Sequence, residues 1–338
     1  MDQTTDLDNA VSLEWIRAIP KAELHIHLLG AIRPRTALEL ARRHRVEFPV
    51  DSLEFWTPFF CTGNLAQFVE RFILLFPLLR EKEDFERVGR EVFEDLHADG
   101  IRSVEPRITL TSHLLRGVSE EAIGEGLAAA ACYAHETLGM KVRWIVDFPR
   151  ILGLQVGRLA LEAAIRGIPW GVAGFDIAGY EGPGEDDPAY CAIFARAREA
   201  GLHLTAHAGE TGPPEHIRIA INEWGVERIG HGIQASRDSD LAEELASRKI
   251  PLEICPTSNI ALGAVPDIYS HPLEKFRQQS LRITINSDDP SLFGTTLSRE
   301  YLIAAAAFGW DRETVLKIIE EGWLAAFPPH DLYKQSEC

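Results

Sequence analysis

The chain has 338 residues, with 34 basic and 51 acidic side chains and a formal net charge of −17. So acidic a surface repels nucleic acid and anionic membranes, which excludes both as expected partners. The apolar content of 46 % is that of an ordinary globular protein, and a chain of this length can bury a large core.

The cysteines and the N-terminus indicate the compartment. Five cysteines lie far apart with no CxxC pair, as expected of free thiols in a reducing environment. The first ten residues, MDQTTDLDNA, are acidic and polar, unlike a signal or transit peptide. The longest apolar run, residues 72–79, is too short to cross a bilayer. The sequence therefore predicts a cytoplasmic protein.

Short apolar or β-branched segments alternate with longer segments of helical spacing. The predicted strands are residues 22–28, 101–108, 141–147, 172–178, 202–208, 227–233, 250–255 and 281–287. The predicted helical segments are residues 34–45, 64–99, 119–139, 155–167, 188–200, 214–224 and 238–248. This alternation predicts an α/β fold, a (β/α)8 barrel of TIM type, in a single domain over residues 1–338.

The segment between the first two predicted strands is too long for one crossover helix. We therefore expect a helical insertion over about residues 55–99 that caps the C-terminal mouth of the barrel. Its apolar stretches FWTPFF (55–60) and FILLFPLL (72–79) could line a pocket at that mouth.

The first predicted strand, within ELHIHLLGAI, carries two histidines separated by one residue. Side chains in a strand alternate between faces, so His25 and His27 point to the same side. Taken alone, the pair fits two buried core histidines as well as it fits a metal site.

Other unusual polar groups also follow predicted strands. Active sites of such barrels lie at the C-terminal ends of the strands, so these groups would converge on one mouth. Imidazoles and carboxylates without a thiolate favour zinc or a similar divalent ion. The motifs, in chain order, are DIAGYE, HAGE with His207 and Glu210, GHG with His231, CPTSN with Ser258, and NSDDP with Asp288 and Asp289.

Together, PKAELHIHLLGAIRP, HAGE, GHGI, CPTSN and NSDDP resemble the adenosine deaminase family of the amidohydrolase superfamily in their order and spacing. The resemblance runs from about Pro20 to about Phe308. It implies a distorted (β/α)8 barrel with one divalent metal, usually zinc. It also implies hydrolytic deamination of a 6-aminopurine nucleoside by a metal-activated water, with release of ammonia.

The resemblance assigns roles residue by residue. Glu210 matches the acid that protonates the purine ring, and His231 matches the residue that orients the attacking water and can take its proton. Asp289 matches the contact to purine N7, and Gly179 the backbone contact to N3. Ser258 matches a hydroxyl beside the metal-bound carboxylate. The metal ligands match His25, His27, His207 and Asp288.

This sequence departs from the family pattern in three places. Many superfamily members bridge two metals with a carboxylated lysine after the fourth strand, but FDIAGYE has no lysine, which implies one metal. Adenosine-specific members have an aspartate after HxHL that contacts the ribose 5′-hydroxyl, where this chain has Leu29. Tyr180 replaces the aspartate of AGDE. We expect Leu29 and His27 to border the substrate, whose 5′ end would differ from a plain hydroxyl.

Several substrates stay open from the sequence. Adenosine, a 5′-modified adenosine such as aminodeoxyfutalosine, and adenine all fit the deaminase pattern, whereas no basic clamp supports adenylate. A non-catalytic purine-binding protein is the alternative class, and it would be expected to have lost a ligand or the acid, neither of which is missing. A small-molecule aminopurine is the predicted partner, and the sequence gives no oligomeric state.

Overall fold

Eight parallel strands form the sheet of the barrel. The computed structural model describes residues 10–184 and 186–328, and neighbouring strands follow the order β1-β2-β4-β5-β6-β7-β8-β9. The two-residue strand β3 also pairs with β2. The strands are β1 (Lys21–His27), β2 (Ile101–Ile108), β3 (Lys141–Val142), β4 (Trp144–Pro149), β5 (Val172–Ala178), β6 (His203–Ala208), β7 (Arg228–His231), β8 (Leu252–Ile254) and β9 (Ile283–Ile285).

One helix precedes the first strand, and the others lie between and after the strands, as the TIM-type prediction requires. No helix within the described ranges is both long enough and apolar enough to cross a membrane. The helices are α1 (Leu13–Ala18), α2 (Pro34–His44), α3 (Trp56–Phe60), α4 (Leu65–Phe72), α5 (Lys82–Ala98), α6 (Leu110–Leu114), α7 (Glu120–Leu138), α8 (Gly153–Arg166), α9 (Pro188–Glu199), α10 (Pro214–Ile219), α11 (Ser239–Arg248), α12 (Pro256–Ala261), α13 (Leu273–Gln278), α14 (Pro290–Phe293), α15 (Leu297–Phe308) and α16 (Arg312–Ala325).

Local sequence explains where these helices begin and end. The side chain of Ser119 accepts a hydrogen bond from the backbone of Ala122 and so caps the start of α7. Gly139 ends the same helix with a φ of 63°, a left-handed conformation that glycine adopts without strain. Asp187 caps α9 in the same way, and Pro188 occupies its first position.

The region between α3 and β2 has two parts, one at the barrel mouth and one packed against α7. Pro77 lies within a 3₁₀ segment, Ile73–Leu78, that separates α4 from α5. The long helix α5 packs against α7 on the outside of the barrel. Side chains of α4 and the 3₁₀ segment instead line the cavity at the barrel mouth. Trp56 and Phe60 of the FWTPFF stretch are buried in the core and do not line that cavity.

The first and last strands meet at the mouth of the barrel. An isolated bridge joins Ile26 to Asp288, beyond the end of β9. The backbone N–H of His27 donates to the carbonyl of Asp288 at 2.9 Å, and the N–H of Asp288 donates to the carbonyl of His25 at 2.9 Å. The seam that closes the barrel is therefore built from the residues expected to bind metal.

Charged side chains fill the barrel interior below the mouth. Arg107 donates to Asp176 at 2.6 Å and to Glu253 at 2.5 Å, and all three side chains are fully buried. Arg228 donates to the other oxygen of Glu253 at 2.6 Å and also to Glu105. Removing one partner would leave a buried charge uncompensated, at about 3–5 kcal/mol, so the network fixes these acids in place.

Candidate active site

Three histidines and one aspartate come together at the mouth. His25 and His27 project from the end of β1, and His207 comes from β6. The Nε2 atoms of His25 and His27 lie 3.5 Å and 3.4 Å from Oδ1 of Asp288. The Nε2 atoms of His27 and His207 are 3.3 Å apart. Asp288 follows β9 with a φ of 61°, which turns it out of the strand direction.

Each of these three imidazoles has a carboxylate next to its Nδ1 atom. A carboxylate at that position holds the Nδ1 proton and leaves the Nε2 lone pair directed into the cluster, as in metal sites. The pairs are His25 with Glu253 at 2.8 Å, His27 with Asp147 at 3.3 Å, and His207 with Asp176 at 3.0 Å.

The cluster fits a divalent cation. The Nε2 atom of His25 is buried and has no hydrogen-bond partner. The Nε2 atoms of His27 and His207 face each other at 3.3 Å, so either a proton or a metal ion must lie between them. Burial lowers the pKa of His27, but Asp147, Asp289 and Asp288 outweigh burial and raise this pKa to about 9. The local field therefore favours positive charge, and three imidazoles with one carboxylate are ligands that suit zinc.

His231 lies beside this cluster but has a different partner. Its ligand atom is within 4.8 Å of those of His25 and His207, so distance alone does not separate it from the ligands. Its Nδ1 faces the amide of Asn259 at 3.2 Å rather than a carboxylate. Its Nε2 lies 3.8 Å from Glu210 Oε1. Burial, together with the charge of His25, holds the pKa of His231 well below its usual range, so its ring is neutral.

Glu210 is held by a loop folded around another carboxylate. The backbone N–H groups of residues 209–212 all donate to Glu181, at 2.8–3.1 Å, and His216 Nδ1 lies 3.0 Å from it. Burial alone would raise the pKa of Glu181, but His216, Arg150 and these backbone donors lower it to about 2. Glu181 is therefore ionised and fixes the path of the loop that carries Glu210.

The neighbouring acids of the site differ in protonation. Burial and the charges of Asp288, Glu181 and Asp289 raise the pKa of Glu210 well above its usual range. Burial and Asp288 likewise raise the pKa of Asp289. Burial would also raise the pKa of Asp288, but the histidines, His25 foremost, hold it well below its usual range. Glu210 and Asp289 are thus buried acids able to donate protons, and Asp288 is a carboxylate.

Two small contacts position the aspartates. Ser258 donates its hydroxyl to Asp288 Oδ2 at 2.6 Å. Gly30 lies so close to Asp289 that a Cβ atom there would come within 1.8 Å of Asp289 Oδ1. A side chain at residue 30 would therefore displace the Asp289 carboxyl, a requirement that the sequence alone did not reveal.

A cavity of about 260 Å³ opens above these groups. Asp147, His207, Glu210 and Asp289 line its floor, and Gly179 lies in its wall with a φ of 90°. Most of the other lining residues are apolar, although Thr109, Ser112 and Arg116 also line the cavity. The apolar side chains are those of Leu65, Phe68, Val69, Phe72, Ile73, Phe76, Leu115, Ile151, Leu152 and Leu262.

Leu29 lies elsewhere. It is 3 % exposed, packs in the hydrophobic core, and is not among the residues that line the cavity. His27, by contrast, lines the cavity. The apolar character of the outer cavity therefore comes mainly from α4, the 3₁₀ segment that follows it and the loop after β4, rather than from the residue after HxHL.

The carboxylates behind the histidines were not predicted from the sequence. Asp147, Asp176 and Glu253 lie in otherwise apolar strands, as the strings WIVDF, GFDIA and PLEIC show. A single acid within a buried strand needs a partner, and that signal was available. Which histidine each acid would meet could not be read from the chain, because the pairs join different strands.

Comparison with known proteins identifies the family. A family model described as adenosine deaminase matches residues 20–335. The chain is similar to a protein named aminodeoxyfutalosine deaminase from Streptomyces coelicolor, with 37 % identity over 318 residues that cover 93 % of this chain and 81 % of that protein.

Two solved structures resemble the fold closely. A structure described as adenine deaminase from Arthrobacter aurescens has a TM-score of 0.87 at 29 % identity, covering 92 % of this chain and 94 % of its own. An amidohydrolase from Burkholderia ambifaria, described as having bound Zn, has a TM-score of 0.85 at 26 % identity, covering 95 % of this chain and 89 % of its own.

Proposed function

We propose that this chain, which belongs to the adenosine deaminase family, acts on a 6-aminopurine nucleoside with an apolar extension at its 5′ position. The chain is a metal-dependent aminohydrolase that deaminates an aminopurine. The finer proposal rests on one observation, which is that apolar side chains of α4 and of the 3₁₀ segment after it form most of the cavity lining beyond the acids and histidines of the floor.

One zinc ion is the proposed cofactor, held by His25, His27, His207 and Asp288. Such an ion, when bound, lowers the pKa of a water to about 7 and so supplies the nucleophile at neutral pH. The bound Zn of the Burkholderia ambifaria structure supports this choice. The carboxylates at the three Nδ1 atoms would keep the ligand rings in the required tautomer and orientation.

The acids of the floor fit the edge of a 6-aminopurine. Glu210, as a buried protonated acid, would donate to N1 and make C6 more electrophilic. Asp289, also protonated, would donate to N7. The backbone N–H of Gly179 would meet N3. Water adds to C6 and the C6–amine bond breaks. One proton of the water ends on the amine, which leaves as ammonia, and the other restores the proton that Glu210 gave to N1.

The outer cavity supports an apolar group at the 5′ position. All four carboxylic acids that line the cavity, Asp147, Glu210, Asp288 and Asp289, lie at its metal and purine end. A 5′-hydroxyl against Phe72 and Phe76 would lose its bonds to water without replacement, at about 1–3 kcal/mol. An apolar substituent there would instead gain about 25 cal/mol for each Å² buried.

One cation lies at the rim of this apolar wall. Arg116 lines the cavity, its guanidinium lies 5.3 Å from the ring centre of Phe76, and it donates to the carbonyl of Ser112 at 2.6 Å. Within residues 10–184 and 186–328 no carboxylate pairs with it. An anionic group at the far end of the extension would therefore find a partner. One cation among apolar walls gives little support for a 5′-phosphate directly on the sugar.

Adenine deamination is the second candidate. The same apolar wall would exclude water above a free base, and the Arthrobacter aurescens structure is described as an adenine deaminase. The two candidates differ in whether the outer cavity is filled by substrate.

Steady-state deamination of a substrate series separates them. The zinc-loaded enzyme is assayed for ammonia release with adenine, adenosine, 5′-alkylthioadenosine, aminodeoxyfutalosine and adenosine 5′-phosphate. We expect the nucleosides with an apolar 5′ extension to have a kcat/KM at least tenfold above adenosine, a gap of about 1.4 kcal/mol. A preference for adenine would favour the second candidate, and a preference for adenosine would contradict both.

A further inference from the structure

A chain of hydrogen bonds runs from the protein backbone to the ring of His231. The backbone N–H of Leu273 donates to Nδ1 of His271 at 3.1 Å. The Nε2 of His271 lies 3.2 Å from Oδ1 of Asn259, and the amide nitrogen of Asn259 lies 3.2 Å from Nδ1 of His231. His231, Asn259 and His271 are all buried.

The direction of every bond in this chain follows from its first member. A backbone N–H can only donate, so Nδ1 of His271 must accept. Burial lowers the pKa of His271 to about 4, so the ring is neutral and its single proton is on Nε2. That proton requires Oδ1 of Asn259 as acceptor, which places the amide NH₂ against His231.

The same argument determines the tautomer of His231. The NH₂ of Asn259 can only donate, so Nδ1 of His231 accepts and carries no proton. Rotating the amide of Asn259 by half a turn would place donors against donors at His271, so the network has one consistent arrangement. The proton of neutral His231 is therefore on Nε2, the atom that faces Glu210 at 3.8 Å and Asp288 Oδ2 at 3.9 Å.

We infer that Asn259 and His271 are positioning residues that hold His231 as the Nε2–H tautomer, so that it donates a hydrogen bond to the oxygen attacking C6. This inference rests on the proposed function of the site. In this tautomer Nε2 has no free lone pair, so His231 cannot be the base that first removes the proton of the water. That proton must pass to another acceptor at the site. Of the two acids that face His231 Nε2, Glu210 at 3.8 Å is the proposed ring acid, which leaves Asp288 at 3.9 Å as the acceptor.

The His231 tautomer thereby differs from those of the metal ligands. Carboxylates lie 2.8–3.3 Å from the Nδ1 atoms of His25, His27 and His207 and favour a proton there, whereas the amide NH₂ of Asn259 donates to Nδ1 of His231. The four histidines lie at similar distances from their neighbours in the cluster, so distance does not distinguish them. The hydrogen-bond network does, because it makes His231 a hydrogen-bond donor at Nε2 and leaves the other three as metal ligands. It also directs the His231 Nε2–H where oxyanion charge develops.

Nitrogen NMR of the zinc-loaded enzyme tests the tautomer directly. In protein labelled with ¹⁵N-histidine, a protonated ring nitrogen resonates far from an unprotonated one, and a His231→Gln sample identifies the His231 signals by their loss. We expect the protonated signal at Nε2 and the unprotonated signal at Nδ1. The reverse assignment would overturn the inference, and neither result depends on which substrate the enzyme uses.

The substitution Asn259→Asp reverses the last bond with little change of shape. The introduced carboxylate could accept from His271 and from a protonated Nδ1 of His231, so the proton of a neutral His231 would leave Nε2. We expect zinc content and KM to stay near wild-type values while kcat falls about 10²–10⁴-fold, since a wrong histidine tautomer costs about 10⁴ in kcat in a Ser-His-Asp triad. An unchanged kcat would overturn the inference.

A matched pair at His271 separates positioning from packing. In His271→Gln the side-chain amide can still donate to Asn259, whereas His271→Leu fills the space without a donor. We expect His271→Gln to retain most of kcat and the NMR signature, and His271→Leu to lose about tenfold in kcat with two His231 tautomers. Equal kcat values and equal spectra for the two variants would overturn the role of His271. If the wild type deaminated no aminopurine, the proposed function would be contradicted instead. The ¹⁵N spectrum would still test the tautomer of His231.

Discussion

At the scale of single residues, the local environment gives acids of the same type different pKa values. Asp288 is surrounded by imidazoles and stays ionised, while burial and negative neighbours keep Glu210 and Asp289 protonated. Pairs of acids whose surroundings push their pKa values apart are how a fold assigns acid and base roles. Here the protonated members face the cavity, where a purine nitrogen would need a donor.

Glu210→Gln tests the ring acid. The amide can still hydrogen-bond to a purine nitrogen but cannot protonate it, so we expect kcat to fall about 10²–10⁴-fold. Zinc content should not change, because Glu210 is not among the four proposed ligands. Elemental analysis and ammonia release on the same sample check both statements. Near-normal kcat in this variant would remove Glu210 from the mechanism.

Arg116→Ala tests the rim cation. A partly exposed charge pair is worth about 1 kcal/mol or less, so we expect kcat/KM to fall about fivefold for an aminopurine nucleoside with an anionic 5′ extension. For a neutral 5′-alkylthio analogue it should not change. Arg90→Ala is the matched control, since Arg90 also stacks on a ring, that of Tyr133, but does not line the cavity. An equal loss for both substrates would show that Arg116 only supports the wall.

At the scale of elements, the strand predictions succeeded where burial sets the pattern. The predicted strands over 101–108 and 172–178 coincide with β2 and β5. β7, β8 and β9 are shorter than predicted, and their ends carry site residues. His231 and Asp288 both adopt a φ of 61°, which ends strand geometry at the residue that carries the functional side chain. A pattern of apolar residues cannot show such a turn.

Partners contributed by different strands were beyond prediction for the same reason. The polar residues at strand ends pointed to one mouth without any structure, since parallel strands bring their C-terminal ends together. The carboxylate behind each histidine, the Asn259 network and the burial of Leu29 depend on register and on side-chain direction across the barrel. Those follow from the packing of the whole sheet, not from one segment.

Glu181→Gln tests the loop that carries Glu210. An amide cannot accept four backbone N–H groups as well as a carboxylate can, so we expect kcat to fall about tenfold and the free energy of unfolding to fall as well. Glu227→Gln is the control, because Glu227 also accepts a backbone N–H, from Leu204 at the start of β6, but lies away from the cavity. Equal kcat in both variants would contradict a positioning role for Glu181.

The stability contribution of Glu181 has a defined pH window. Its pKa is lowered from 4.5 to about 2 in the folded chain, so the folded state favours the ionised form. The contribution, about 3 kcal/mol, is complete above pH 4.5 and is lost as pH falls toward 2. Denaturant unfolding at pH 7, 4 and 3 should show the gap between wild type and Glu181→Gln narrowing only in the two acidic buffers. A constant gap would mean that the carboxylate charge is not the cause.

At the scale of the whole molecule, the proposed metal site coincides with the closure of the barrel. β1 and β9 meet through the backbone of His25, His27 and Asp288, whose side chains are the proposed ligands. His207 contributes from β6, on a distant part of the sheet. A bound ion would therefore connect the first strand, the last strand and β6. Binding of the ion would then add to the free energy of unfolding.

Metal removal should thus loosen one seam more than the rest of the sheet. A ligand bound only by the folded state stabilises it by about 4 kcal/mol at a thousandfold excess over Kd, so we expect chelation to lower the melting temperature. Hydrogen exchange should rise most at the amides of His27 and Asp288, and least in the paired strands β4 and β5. His27→Ala, which lacks a ligand, should exchange like the chelated wild type and respond little to chelator. Uniform acceleration across all strands, or a His27→Ala variant that still responds fully, would mean that the ion does not hold the seam.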